Sequence, residues 1–222
     1  MKSDEFIREV DEELRRDRVA TLWRRYGAIL VGVAVLIVAG TAGKVAWGHW
    51  SERARAAEAL RFAAAERALA ANDTAGAAAQ FAALAAEGKT GFAALARLRQ
   101  AEAERERKDP AAATGALDGL AAAGGDPILR ELAALLAIEQ DLGTADPATL
   151  RQRLEPLAGA DAPWRNQARE LQALVAIRAG DLDQARTILG ELSREVGVLP
   201  SQQRRASELL QAIGGNPAQA SS

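Results

Sequence analysis

The chain has 222 residues, a net charge of -2, and side chains that are 49 % apolar but only 4 % aromatic. Balanced charge argues against the broad basic field of a nucleic-acid binder, and the absence of cysteine excludes disulfides, a thiol nucleophile and cysteine-based metal sites. Alanine, leucine, glutamate and arginine dominate, the composition of an all-α protein with small residues at its helix contacts.

Residues 1–25 read as a short amphipathic helix. Ile7, Val10 and Leu14 fall at helical spacing, with acids early and arginines late, as the helix dipole prefers. Its charges balance, so it carries no polybasic lipid patch.

Residues 26–50 read as a transmembrane helix. From Tyr26 to Gly43 there are 18 uncharged residues, which as a helix rise about 27 Å, close to the hydrocarbon thickness of a bilayer. Lys44 can snorkel, and Tyr26 at one end with Trp47 and Trp50 at the other match interfacial aromatic belts. The charged 25-residue lead and Lys44, placed where cleavage would fall, separate it from a secretory signal. A phosphate loop fails on spacing, because Val38 and Val45 stand where glycine and Ser or Thr are needed. Arg15, Arg16, Arg18, Arg24 and Arg25 precede the span and only Arg53 and Arg55 follow Lys44, which puts the N-terminus in the cytoplasm. In a bacterium the remainder then lies in the periplasm, on the far side of the inner membrane. Ala28, Gly32, Ala39 and Gly43 share one side of the span and form a candidate helix-packing face.

Residues 51–213 carry an internal repeat. Four times an aspartate is followed by Ala or Leu at four residues, Phe or Leu at eight and Leu at eleven. The aspartates are Asp73, Asp109, Asp146 and Asp181. Each reads as the N-cap of a helix with one buried stripe, twice with proline (Pro110, Pro147) at the first helical position. A further helix precedes each aspartate: 53–71, 92–107, 128–142 and 163–179. The unit is therefore a helical hairpin, repeated four times. Residues 202–213 read as a closing helix and 214–222 as a disordered tail.

Hairpins of this period are the mark of tetratricopeptide-type solenoids. The fourth unit, "ALVAIRAGDLDQARTILGEL", resembles the tetratricopeptide pattern most, with Ala173, Gly180, Ala185 and Leu192 on its small, glycine, small and apolar positions. Asn72 and Lys108 replace that glycine in the first two units, and the third turn is one residue longer, so the repeats are degenerate and an irregular superhelix is expected.

The whole layout, a charged "EVDEELRRDR" head, an "LWRRYG" entry to a single span and degenerate repeats, resembles the YfgM-type ancillary subunits of the bacterial Sec translocon. That resemblance implies a bitopic inner-membrane protein whose periplasmic repeats bind a membrane-anchored chaperone and the SecYEG channel, with no catalysis and no cofactor. It also implies a concave surface built by the first helix of each hairpin, onto which register places Glu102, Arg105, Glu170 and Arg178. A periplasmic scaffold for envelope assembly or cell division is the alternative the residues leave open. His49 is the single histidine and sits at the expected membrane interface, without a second histidine or a cysteine to build a site. No small-molecule substrate is implied.

Overall fold

The computed structural model describes residues 3–214. The expected tail lies outside the described residues apart from Gly214. Nine α-helices and one 3-10 turn follow one another, and no strand occurs among the described residues. They are α1 (Ser3–Ala70), α2 (Thr74–Glu87), α3 (Gly91–Glu106), α4 (Pro110–Ala121), α5 (Pro127–Asp141), α6 (Pro147–Leu154), the 3-10 turn Pro156–Ala158, α7 (Arg165–Arg178), α8 (Leu182–Leu192) and α9 (Pro200–Ala212). By contacts the chain divides into two units, Met1–Ala56 and Ala57–Ser222.

Sequence reading expected three successive helices before Asp73; the backbone shows one, α1. The physical reason is the absence of a breaker: no proline occurs before Pro110, and the glycines of this stretch are isolated. Within Val31–Ala70 the helix is long and apolar enough to cross a membrane, with a mean hydropathy of 1.6 and no burial in its apolar window. Val31, Leu36 and Val38 are all exposed, as are Trp47 and Trp50, whose rings lie 5.6 Å apart.

The second unit is a solenoid of four hairpins, α1's last turns with α2, α3 with α4, α5 with α6, and α7 with α8, closed by α9. Each second helix starts on its aspartate. Asp73 accepts from the Gly76 amide at 2.9 Å, Asp109 from Ala112 at 3.0 Å, Asp146 from Ala148 and Thr149 at 3.0 and 3.1 Å, and Asp181 from Gln184 at 3.2 Å. These bonds satisfy amides that a helix start leaves without an intrahelical partner. The stripe behind each aspartate is buried throughout: Ala77, Phe81 and Leu84; Ala113, Leu117 and Leu120; Leu150, Leu154 and Leu157; Ala185, Leu189 and Leu192.

Four core clusters result, and each joins one hairpin to the first helix of the next element. Phe81 and Leu84 of α2 pack with Ala96 of α3, Leu117 and Leu120 of α4 with Ala133 and Ala137 of α5, Leu150 and Leu154 of α6 with Ala168 and Val175 of α7, and Leu189 and Leu192 of α8 with Ala206 and Leu210 of α9. No cluster spans the whole unit, so its stability is a sum of neighbour terms. Alanine at Ala96, Ala133 and Ala168 lets each first helix approach the second helix of the preceding hairpin closely. The seam between the first two hairpins is also tied by Glu58 of α1, whose carboxylate accepts from the Lys89 amide at 2.8 Å and the Thr90 hydroxyl at 2.6 Å just ahead of α3.

The departures from the tetratricopeptide glycine leave the turn intact. Asn72 and Lys108 both have φ 61° and Gly180 has φ 80°. All three close the same double-bonded turn, in which the following aspartate amide reaches back to Ala68, Glu104 or Ala176 at 3.0, 2.9 and 2.9 Å. Asparagine tolerates the left-handed region; lysine does so at a cost. The third hairpin is the irregular one. Its longer turn, 142–145, has no left-handed residue, and Pro156, which lacks the amide a helix would use, ends α6 and leaves Leu157 to be buried from a 3-10 turn.

A prediction follows for the turns. Gly180→Ala should destabilise by about 1 kcal/mol, through backbone strain alone, because nothing lies within 4 Å of an added Cβ. Lys108→Gly should stabilise by up to about 1 kcal/mol. Urea midpoints of the two variants check both signs.

Candidate binding groove

The first helices of the solenoid enclose an open trough of about 560 Å³. Phe62 of α1, Leu95, Leu98 and Ala101 of α3, Leu117 of α4 and Leu136 of α5 form its apolar floor, and Arg99, Glu102, Arg105, Glu139 and Gln140 its polar margin. The helical period explains the set on α3: residues 95, 98, 99, 102 and 105 recur at three or four and so share one face, while Ala93, Ala96 and Ala103 face the neighbouring helices and are buried. Leu95 is 42 % exposed, so the floor is open to solvent.

Charge on the margin is ordered. Arg99 lies between two carboxylates, its Nε 2.9 Å from Glu66 Oε1 on α1 and its Nη1 2.5 Å from Glu102 Oε2. Glu170 of α7 pairs with Arg205 of α9 at 2.9 Å. Burial pushes the Glu170 carboxyl above the usual carboxylate range; Arg205 opposes the shift and the nearby Glu139 adds to it.

Of the residues expected on the concave surface, Glu102 and Arg105 line the trough. Glu170 stands beside it, within electrostatic reach of Glu139. Arg178 is exposed but does not line the trough; its Nη1 donates to the Leu142 carbonyl at 2.6 Å, closing the C-terminus of α5 and tying the fourth hairpin to the third. Gly32, Ala39 and Gly43 are exposed on α1, with nothing within 4 Å of a Cβ added at Gly32 or Gly43; the Ala28 side chain lies outside those described. Asp73, Asp109, Asp146 and Asp181 serve as helix caps on the second helices and do not line the trough.

Sequence reasoning missed Glu66, Arg99 and Glu139 and the apolar floor. One signal was present: Glu66, Glu102 and Glu139 each stand seven residues before a repeat aspartate. His49 is exposed and 3.9 Å from Glu52. Among the described residues no group of three His, Cys, Asp or Glu side chains is placed to hold a metal ion.

Stacked helical hairpins with an apolar-floored trough on their first helices define a helical-repeat scaffold of the kind that binds other proteins. A tetratricopeptide repeat-like domain model matches residues 21–194, and the chain belongs to that family. No curated protein and no solved structure matches it. The matched region begins within α1 and ends just after α8, so α9 lies beyond it.

Proposed function

We propose that the chain is a membrane-anchored, non-enzymatic interaction module, an accessory of the Sec translocon that links it to periplasmic chaperones during protein export. The observation that carries the binding role is the trough on consecutive first helices, behind a helix long and apolar enough to span a membrane. The translocon assignment rests on the resemblance of the N-terminal segment and the layout to YfgM-type subunits. In this reading residues 1–25 are cytoplasmic, 26–50 cross the inner membrane, and 51–213 form the periplasmic repeat domain. Ala28, Gly32, Ala39 and Gly43 pack against channel helices, and the surface around Glu102, Arg105, Glu170 and Arg178 meets the chaperone.

Two measurements test it. The chain lacks cysteine, so single replacements report cleanly. In spheroplasts a membrane-impermeant maleimide should label Ser201→Cys directly and Ser3→Cys only after lysis; the reverse order overturns the orientation. Photo-cross-linking from Gly32 or Gly43 should recover channel subunits. Recovery of division or envelope-assembly proteins in their place would establish the scaffold reading instead.

A further inference from the structure

The trough carries a charge pattern that repeats from one hairpin to the next and then breaks. Glu66, Glu102 and Glu139 occupy one register position on three successive first helices, each directly after a buried residue, Ala65, Ala101 or Ile138. Between the first two, Arg99 supplies the cation and bonds both carboxylates. Arg99 stands ten residues before its repeat aspartate, and the residue in that place on the third helix is Leu136.

The consequence is local. Glu139 is exposed at the margin beside an apolar floor and has no cationic partner among the described residues. Its charged neighbour across to α7 is Glu170, another carboxylate. Leu136 and Leu98 line the space where a counterpart of Arg99 would lie. An apolar surface with one unanswered carboxylate is complementary to a partner that brings apolar side chains and one cation.

We propose that the trough receives an apolar segment of a partner protein carrying a lysine or arginine, whose cation lies over Leu136 and pairs with Glu139. This completes across the third helix the arginine–glutamate ladder that Arg99 builds across the first two. The long methylene stem of such a residue packs on Leu136 while its head reaches the carboxylate. Arg105, on the same margin and without a carboxylate partner among the described residues, disfavours a second cation there and fixes the segment's direction.

This inference rests on the trough being the binding site, and the test separates the two. Labelled leucine-rich peptides with lysine, glutamine or glutamate at one central position are titrated against the full chain in detergent micelles, read by fluorescence anisotropy. The lysine peptide should bind about fivefold more tightly than the glutamine peptide, as one exposed charge pair allows, and the glutamate peptide more weakly still. Glu139→Gln should abolish the lysine preference without changing affinity for the glutamine peptide, and Glu139→Lys should invert it. Leu95→Asp should weaken all three. Peptides that bind with no lysine preference, or with one that survives Glu139→Gln, overturn this inference and leave the trough as the site. Absence of binding, or binding indifferent to Leu95→Asp, overturns both.

Discussion

Phe81→Ala is expected to cost about 3–5 kcal/mol and to unfold the first hairpin. Phe81 is fully buried between α1 and α3, and its ring lies 5.3 Å from Phe62, which lies 5.7 Å from Phe92. The alanine leaves a cavity that this cluster has few large side chains to fill, because Ala65, Ala77, Ala85 and Ala96 make up most of the rest. In a solenoid the loss falls on one neighbour interface, so limited proteolysis should cut within residues 71–91 while the region after α4 stays protected. Leu60→Ala, at a residue 71 % exposed on α1 of the same hairpin, is the control and should stay within about 0.5 kcal/mol of the parent. A Phe81→Ala variant as stable as that control would refute the packing argument. The damage should also reach binding, because Phe62 both lines the trough and packs against Phe81.

Arg169→Ala is expected to cost about 3 kcal/mol, concentrated at the closing helix. Arg169 of α7 is 9 % exposed and bonds Glu191 of α8 and Glu195 of the following loop; Arg165 adds a second bond to Glu195 at 2.5 Å. The Glu195 carbonyl accepts from Gln203 of α9 at 3.0 Å, and Val198 is buried against α9, so this cluster sets how the last hairpin meets its cap. Among the described residues, truncation leaves Glu195 with one cation and Glu191 with none. The Arg165 bond, joined by Arg169 and working against burial, holds Glu195 below the usual carboxylate range. A carboxyl lowered on folding stabilises above its unfolded pKa, and that contribution is lost as pH falls through the lower folded value. The gap between parent and Arg169→Ala should therefore be widest near neutrality and close in acid below the ordinary carboxylate range. Adding Glu191→Gln removes the uncompensated charge and should recover part of the loss. Urea titrations at neutral and acid pH decide it; a gap that widens in acid would contradict the assignment.

Much of this architecture was legible in the residues, for a local reason. A cap bond spans two or three residues, as from Asp73 to Gly76, and a buried stripe such as Ala113, Leu117 and Leu120 is set by the helical period. Both belong to the chain before any helix meets another. The all-α class, the hairpin unit and the apolar N-terminal segment follow from such signals alone. The left-handed turns at Asn72 and Lys108 were partly hidden, because the backbone takes that conformation without the glycine that announces it.

The trough is different. Arg99 reaches Glu66 across 33 residues, Arg178 reaches Leu142 across 36, and Glu170 pairs with Arg205 on a helix beyond the repeats. Which of these side chains meet depends on the rotation and rise between successive hairpins, and small residues such as Ala96, Ala133 and Ala168 set that spacing through contacts no single helix contains. Sequence by itself determined the helices, their caps and their buried faces. Only the tertiary structure decided that Arg178 ties two hairpins through the Leu142 carbonyl, and that Glu139 stands at the margin of an apolar trough with no cationic partner among the described residues, because both depend on how one hairpin is turned against the next.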